Sequence, residues 1–438
     1  SDVCSSDLAG PPPRSYLPVR RLPFLLLLLP LAAGPVTAGA ALPPALVLQI
    51  TVDQLRGDML PRYRERFGAA GFRRLLDSGI VFTDAHHAAA NTVTASGHAV
   101  LVTGAATADH GIVGNDWHDP ARGRSVYCVE DERLGLAGAS GPGRSPVMLT
   151  SSTLGDELVS ASGGRARAFA VAFKDRAAII PAGRRGRAFW LSEATGGFIS
   201  STWHHPAGLP AWVEESNRRR EFARYGEAVW RPLERGADGT AGPDNAHARF
   251  PAELRRVFPH PLTARSDRLL LASLACTPYS DELVASFAAE LITREELGRR
   301  GVTDYLSVSL AATDYIGHAW GPESAEYRDN LLRLDATLAA LLAVTDQLIG
   351  ADRCLVVLSA DHGVDDIPEA RLAAGRAAGR FDPAVLRTGS NRALRAALGV
   401  DADLVTAFVP PGFHLDHERD RKSTRLNSSH ANISYAVF

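Results

Sequence analysis

Three apolar runs of strand length are the clearest pattern along the chain. Residues 45–52 (ALVLQITV), 305–310 (YLSVSL) and 354–359 (CLVVLS) are apolar almost throughout, with little polar alternation. Short continuous runs of this kind are typical of strands that are covered on both faces of a parallel sheet. We therefore predict three buried parallel strands at these positions.

Two helical patterns accompany these runs. Residues 280–297 lead into the second run, and residues 324–349 connect the second run to the third. In the longer segment, leucines recur at spacings of three, four or seven residues on one helix face: Leu331, Leu334, Leu338, Leu341 and Leu348. Because a strand, a helix and a further strand form a β–α–β unit, the sequence predicts an α/β fold with a mostly parallel central sheet flanked by helices.

One segment differs from this pattern. Residues 183–265 are rich in Arg, Pro, Gly and Trp, with short β-like runs at residues 188–191 and 198–202. We interpret this segment as a cap insertion over the sheet, within one domain that covers residues 41–420.

The N-terminal region has the order of a secretory signal. Within residues 14–40, arginines precede an apolar core at 22–31, and small residues then offer a cleavage site. The alternative is a membrane anchor, but the apolar core is shorter than the roughly 20 residues of a membrane span, and Pro30 interrupts it. We expect export to the periplasm or the medium, with no stable membrane insertion after cleavage.

The outermost segments look foreign to the rest of the chain. SDVCSSDL at the start and KSTRLNSSHANISYAVF at the end resemble translated sequencing-adapter read-through. We expect residues 1–13 to be foreign or disordered and residues 421–438 to be a foreign tail. On this interpretation the C-terminal part of the natural protein is missing.

Composition narrows the class of protein. The 438 residues are 45% hydrophobic and 22% charged, which excludes a disordered polymer, a collagen-like fibre and a multi-span membrane protein. With 47 basic and 49 acidic residues, the chain has no overall charge that would attract nucleic acid, so an anionic ligand requires a local site. The four cysteines lack the spacing of a zinc ribbon or a disulfide scaffold.

Each predicted strand is followed by side chains that can bind a metal ion. Asp53 follows the first run, Asp314 and His318 follow the second, and Asp361 and His362 follow the third. The carboxyl ends of parallel strands meet at one edge of a sheet. Carboxylates mixed with imidazoles suit zinc, with manganese or another divalent ion as an alternative. Taken singly, each feature is more often a helix cap, a turn or a surface ion pair; together they favour a metal site.

A candidate nucleophile lies in the segment NTVTASGHAVLVTG. Thr94 stands where small polar residues give way to an apolar stretch, as at a helix start, where free N–H groups favour an anion. A threonine alkoxide needs a cation to stabilise it at neutral pH, and a metal ion provides one. From the local sequence alone, Thr94 is more often an N-cap, and Thr92 and Ser96 are competing hydroxyls.

Six blocks in a fixed order resemble the alkaline phosphatase superfamily: VDQ, T-x-x-G-H, GNDW, KDR, TDYIGH and SADHG. More narrowly, they resemble its PafA-type members, which are monomeric periplasmic enzymes with a threonine nucleophile and two zinc ions. The resemblance runs from about residue 45 to 412. It implies that Thr94 attacks phosphorus and becomes phosphothreonine, and that Thr94, Asp53, Asp361 and His362 hold one zinc ion.

The resemblance also implies a second zinc ion, held by Asp314 and His318. In the family this zinc has a third protein ligand, a histidine from the C-terminal part. The histidines that follow the SADHG block, His414, His417 and His430, match no family motif, so none is assigned. The second site therefore lacks a recognisable third ligand in this chain.

The phosphate-binding residues implied by the resemblance are Asn115, Lys174 and Arg176, with Asp175 orienting the two cations. Lys174 is one of only two lysines in the chain, and the other lies in the tail expected to be foreign. A monoester dianion carries more charge on its terminal oxygens than a diester, and a lysine with an arginine compensates that charge. The alternative is a solvated surface pair.

We therefore expect an exported, monomeric phosphomonoesterase that acts on small-molecule phosphate monoesters, with no nucleic-acid partner. One alternative is a type I phosphodiesterase or nucleotide pyrophosphatase of the same superfamily, although the KDR block favours the monoesterase. Another is an inactive, truncated metal-binding fragment. A sulfatase is disfavoured because no Cys-x-Pro-x-Arg or Ser-x-Pro-x-Arg motif surrounds the nucleophile.

Overall fold

The computed structural model describes residues 42–87, 89–233, 254–262, 265–409 and 412–416, with residues 251 and 419. From Pro43 onward these residues belong to one compact unit. The predicted signal segment, both segments expected to be foreign, and the histidines His417 and His430 lie outside the described residues.

The described part of the chain contains strands and helices in alternation. Its strands are β1 (Leu46–Val52), β2 (Asp116–Asp119), β3 (Arg124–Tyr127), β4 (Leu136–Ala137), β5 (Ala168–Ala172), β6 (Arg187–Leu191), β7 (Phe198–Ser201), β8 (Val229–Trp230), β9 (His260–Pro261), β10 (Asp304–Leu310), β11 (Cys354–Ser359), β12 (Val405–Val409) and β13 (Gly412–Leu415). Its α-helices are α1 (Met59–Tyr63), α2 (Phe72–Ser78), α3 (Thr94–Thr103), α4 (Thr107–His110), α5 (Leu154–Ala161), α6 (Asp175–Ala182), α7 (Ala211–Arg218), α8 (Asp267–Ala275), α9 (Tyr279–Arg294), α10 (Ala312–Trp320), α11 (Ala325–Leu348), α12 (Pro368–Ala373) and α13 (Pro383–Leu398).

A seven-stranded sheet forms the centre, in the order β11-β1-β10-β5-β6-β7-β4. The first five strands are parallel to one another, whereas β7 is antiparallel to both β6 and β4. The predicted α/β fold with a mostly parallel sheet is therefore confirmed. In the register of β1, Thr51 pairs with Ser309 of β10 and with Ser359 of β11, so these three strands end side by side.

The three strands predicted from apolar runs differ in how far their side chains are buried. Every residue of β1 and β10 is buried, as expected for strands packed on both faces. β11 lies at the edge of the sheet, and its exposure alternates, with Leu355 and Val357 facing outward. The apolar run at β11 therefore predicted the strand correctly but not its exposed face.

The two predicted helices are confirmed as α9 and α11. The Ser324 side chain caps α11 by accepting a hydrogen bond from the Tyr327 N–H at 3.1 Å. Four of the five predicted leucines of α11 are buried, and α9 and α10 pack against this helix. Within the described residues, no helix is both long and apolar enough to cross a bilayer.

The segment at residues 183–265 is only partly what the sequence suggested. Its two β-like runs are β6 and β7, which lie in the central sheet because β6 pairs in parallel with β5. This first part of the segment is therefore sheet rather than cap. The remaining domain boundaries stay a prediction.

Candidate active site

Two acidic clusters lie at the edge where β1, β10 and β11 end. We call the cluster of Asp53, Asp361 and His362 the buried corner, because all three side chains are buried. Their ligand atoms all lie within 4.8 Å of one another. Asp53 directly follows β1, and the other two follow β11 after one residue, so the parallel register brings them together as predicted.

The buried corner fits a divalent cation. His362 Nδ1 lies 2.8 Å from the carbonyl oxygen of Gly363 and donates to it, which leaves Nε2 facing Asp53 Oδ1 at 3.4 Å. Neither Asp53 Oδ1 nor Asp361 Oδ2 accepts a well-formed hydrogen bond from the described residues. Burial would lower the pKa of His362, but the neighbouring carboxylates of Asp53 and Asp361 raise it to about 9. The corner thus favours a positive charge.

Helix α3 approaches this corner closely, and the T-x-x-G-H block explains why. A Cβ on Gly97 would lie 2.1 Å from the backbone oxygen of Asp361, so only glycine fits there. His98 Nδ1 lies 2.9 Å from the Thr94 carbonyl oxygen and 3.2 Å from Asp361 Oδ2, and its Nε2 lies 2.9 Å from the Ser309 hydroxyl. Burial would raise the pKa of Asp361, but the His98 ring holds it below its usual range.

Among the three competing hydroxyls, only that of Thr94 faces the cluster. Thr94 is the first residue of α3, is buried, and has its Oγ1 3.4 Å from Lys174 Nζ. It is not an N-cap, because no side chain caps α3. The Ser96 hydroxyl donates to the carbonyl oxygen of Asn91 instead, and Thr92 is exposed.

Lys174 connects the buried corner to the second acidic cluster. It lies between β5 and α6, and its ammonium group donates to Asp53 Oδ2 at 2.7 Å and to Asp314 Oδ2. Burial alone would lower the pKa of Lys174, but the two carboxylates outweigh this effect and raise it above its ordinary value. The Tyr315 ring lies 5.2 Å from the same ammonium group. Lys174 is therefore a buried lysine that contacts both acidic clusters, and not a solvated surface lysine.

The second cluster, Asp314 and His318, is the open corner. Both residues lie on α10, four residues apart, with His318 Nε2 3.1 Å from Asp314 Oδ1. Asp314 is buried, whereas the His318 side chain is 68% exposed. Gln54, which the sequence analysis passed over although it ends the VDQ block, donates from Nε2 to Asp314 Oδ1 at 2.8 Å.

The remaining predicted residues lie around Thr94 and Lys174. Asn115 Oδ1 accepts from the N–H of Ala95, the residue after Thr94, at 2.9 Å. Arg176 donates to the Tyr127 hydroxyl at 3.3 Å, and its buried Nε has no acceptor among the described residues.

The Asp175 carboxylate accepts hydrogen bonds from side chains near Arg176. It accepts from Tyr127 and from Arg144 Nε, the latter at 2.8 Å. The sequence analysis did not find Tyr127 or Arg144, because neither lies in a quoted block.

His414, to which the sequence analysis assigned no role, lies against His118, with ring centroids 5.0 Å apart.

A family model described as type I phosphodiesterase / nucleotide pyrophosphatase matches residues 47–378 of the chain. The chain belongs to this family. The matched residues include both corners, Thr94, Asn115 and the KDR block. The membership confirms the resemblance to the alkaline phosphatase superfamily.

Within the superfamily, the chain is of the PafA type. It is 38% identical over 331 residues to alkaline phosphatase PhoV of Synechococcus elongatus, a match that covers 74% of this chain and 60% of PhoV. The crystal structure of wild-type alkaline phosphatase PafA is 32% identical, with a TM-score of 0.80, and covers 89% of this chain and 78% of that one.

A second PafA structure is a variant in which a threonine is replaced by serine, and an asparagine, a lysine and an arginine by alanine. It is 31% identical, with a TM-score of 0.79, and has the same coverage of 89% and 78%. The chain thus spans 60% of the length of PhoV, which is less than two thirds, and 78% of each of the two PafA chains.

Proposed function

We propose that this chain carries the catalytic site of an exported, zinc-dependent phosphomonoesterase that forms a phosphothreonine intermediate. The observation that supports it most directly is the position of Thr94, a buried hydroxyl at a helix start, beside Lys174 and two carboxylate clusters. A nucleophilic oxygen there has the ammonium group of Lys174 beside it and lies at the N-terminus of α3.

The PafA variant adds support from residue spacing. Its substituted asparagine lies 21 residues after its threonine, and its arginine lies two residues after its lysine. Asn115 follows Thr94, and Arg176 follows Lys174, at the same distances here. We infer that these four residues correspond.

In the proposed mechanism, Asp53, Asp361, His362 and Thr94 would hold one zinc ion, and Asp314 and His318 would take part in holding another. When bound, the metal ions would supply positive charge at the entering and leaving oxygens. The Thr94 hydroxyl would lose its proton as Oγ1 attacks phosphorus, the bond from phosphorus to the ester oxygen would break, and the leaving group would depart as an alcohol after taking up a proton. Water would then attack the same phosphorus, release phosphate and return the hydroxyl to Thr94.

The phosphate group would be held by the groups around Thr94. Asn115 is fixed by the N–H of Ala95, and Lys174 reaches Thr94 itself. Within the described part of the chain, Arg176 Nε has no acceptor, and the guanidinium group of Arg176 donates to the Tyr127 hydroxyl. Three donors of this kind match the terminal oxygens of a monoester dianion better than those of a diester, which carries less charge. We therefore favour small-molecule monoesters as substrates. From the resemblance to PafA-type enzymes and the predicted signal segment, we also propose a monomeric, exported enzyme.

A second candidate is a type I phosphodiesterase, because that activity is in the description of the matching family. The two functions are separated by the effect of Lys174→Ala combined with Arg176→Ala. Each lost charge-assisted hydrogen bond costs roughly 1.5–3 kcal/mol, so kcat/KM for an aryl monoester should fall about a hundredfold or more. Activity on an aryl diester should fall much less. Arg294→Ala, at an exposed ion pair with Glu215, is the control. Equal losses on both esters would favour the diesterase.

The nucleophile is tested by Thr94→Ala, which should lower turnover by about a thousandfold or more because the covalent step is lost. Phosphoenzyme trapped at low pH should carry its phosphate on Thr94 by mass spectrometry. Ser96→Ala is the matched control, since the Ser96 hydroxyl is bound to a backbone carbonyl. Phosphate found on Ser96 or Thr92 would refute the assignment.

A further inference from the structure

His98 is a fully buried histidine on α3, and its ring lies between that helix and the central sheet. Both of its ring nitrogens have polar groups within hydrogen-bond distance. An imidazole is costly to bury unless it forms such contacts, so the identity of its partners indicates what the ring does. One nitrogen faces the backbone of Thr94 and the carboxylate of Asp361, and the other faces the sheet.

The nitrogen that faces the site is Nδ1. It lies 2.9 Å from the carbonyl oxygen of Thr94 and 3.2 Å from Asp361 Oδ2. A carbonyl oxygen can only accept a hydrogen bond, so Nδ1 carries the hydrogen atom and donates it. This one donor therefore approaches both the backbone of the proposed nucleophile and a carboxylate of the buried corner.

The Asp361 carboxylate is held firmly on one side only. Its Oδ1 accepts from the backbone N–H of Gln54 at 3.1 Å and from that of His362 at 2.9 Å. Its Oδ2 accepts no well-formed hydrogen bond from the described residues. Two ring nitrogens approach this oxygen: His98 Nδ1 at 3.2 Å and His362 Nε2 at 3.8 Å. His98 is therefore the closer of the two rings that can set the direction of Oδ2.

Ser309 fixes the far side of the His98 ring. Its hydroxyl lies 2.9 Å from His98 Nε2, and Ser309 is buried on β10, in register with Thr51 of β1. A ring with a partner at each nitrogen cannot turn about its χ2 bond without losing a contact. The neighbouring Gly97 lets α3 approach Asp361 closely enough for these contacts. The ring is thus anchored on the central strand and reaches the site from there.

We propose that His98 is a positioning residue that holds Thr94 and Asp361 in one fixed arrangement, through a single ring anchored on the sheet. This inference rests on the proposed function for the role of Thr94 and for a metal ion at the buried corner. His98 itself would contact neither the substrate nor the metal ion. Its loss should weaken metal binding at Asp361 and slow attack by Thr94 together, because both depend on the same Nδ1.

Two substitutions separate the two sides of the ring. In His98→Asn the side-chain amide reaches the place of Nδ1 and keeps a donor toward Thr94 and Asp361, but it loses the contact with Ser309. In His98→Gln the amide reaches the place of Nε2 and keeps the contact with Ser309, but no donor remains at the place of Nδ1. Both variants bury a carboxamide, so a merely structural role predicts similar losses in the two.

The first measurement is the dissociation constant of the more tightly bound zinc ion, by competition with a chelator. Groups that orient a metal ligand typically change affinity by ten- to a hundredfold, so His98→Gln should weaken binding about tenfold or more and His98→Asn less than about threefold. At saturating zinc, kcat for an aryl monoester should follow the same order with KM unchanged. His110→Gln is the matched control and should leave zinc affinity unchanged, because His110 is also fully buried but its Nδ1 accepts from the Ile112 N–H.

Urea unfolding of the metal-free variants measures the stability of the fold separately from metal binding. Equal zinc affinities in His98→Asn and His98→Gln, or the reverse order, would overturn the proposal even if the unmodified chain hydrolyses monoesters. A loss in His98→Gln no larger than that in His110→Gln would overturn it as well. A chain that shows the expected order of zinc affinities but hydrolyses no monoester would refute the proposed function and still support the role of His98 at Asp361.

Discussion

The buried corner and the open corner contain the same kinds of side chain in different surroundings. Asp53 and Asp361 are fully buried, whereas the His318 side chain is 68% exposed. The buried corner is built from two neighbouring strands of the sheet and is backed by α3, whereas Asp314 and His318 lie on α10 alone. A closed site suits tight retention of a metal ion, and an open site leaves room for water and a leaving group. The two corners should therefore differ in metal affinity.

Asp361→Asn should cause the largest loss of metal affinity, and this loss should occur at the buried corner. Removing one charge from a buried cluster costs about 3–5 kcal/mol, so the first metal ion should bind about a thousandfold more weakly. His318→Ala removes a ligand that water can replace, and the second metal ion should weaken by roughly ten- to a hundredfold. Dissociation constants measured by competition with a chelator decide this. An equal or larger loss in His318→Ala would contradict the assumed difference between the corners.

Glycine substitutions test how rigidly each corner is packed. The new Cβ of Gly97→Ala meets the backbone of Asp361, which cannot move away, so the free energy of unfolding should fall by about 3 kcal/mol. The Cβ of Gly317→Ala meets the end of the Gln54 side chain, which can rotate, and the loss should be about 1 kcal/mol. Gly389→Ala on α13 is the control in urea unfolding, because its new Cβ would meet no heavy atom of the described residues within 4 Å, and it should stabilise the fold slightly. A reversed order of the first two would show that the open corner is the more rigid one.

A further expected effect depends on pH and concerns the support of the open corner. Asp281 accepts from the Ala312 N–H, at the start of α10, at 3.0 Å, and burial raises its pKa to about 7. Because the folded state keeps a proton that the unfolded chain releases near pH 4, stability should fall as the pH rises from about 4 to 7. The change is about 4 kcal/mol, since each pKa unit corresponds to about 1.4 kcal/mol. Asp281→Asn imitates the protonated form and should abolish this dependence in urea unfolding at several pH values. An unchanged dependence would assign it to another group.

The sequence predicted the convergence of the strand ends because the pattern of buried strands determines it. Once the parallel order is known, Asp53, Asp314 and Asp361 must lie at one edge of the sheet. The sequence did not reveal β6 and β7 as sheet strands, because both are short and lie in a segment rich in Arg, Gly and Pro. Their membership of the sheet depends on pairing with β5, which is a tertiary contact.

The residues missed at the site are those whose role depends on close approach between elements. His98 and Gly97 were visible in the T-x-x-G-H block, but the contact of α3 with Asp361 is not encoded in local spacing. Gln54 stood in the VDQ block, and only its backbone conformation shows where its side chain points. Glycines inside motifs were the available signal, since Gly97 and Gly317 each mark a crowded contact.

The edge position of β11 links metal binding to local opening of the sheet. Within the described residues β11 pairs only with β1, so fraying of this one strand would release Asp361 and His362 together. An ion bound between these residues and Asp53 would join the edge strand to its neighbour through side chains as well as backbone. Amide hydrogen exchange along β11 should therefore slow markedly with metal occupancy, while exchange along the interior strand β10 hardly changes.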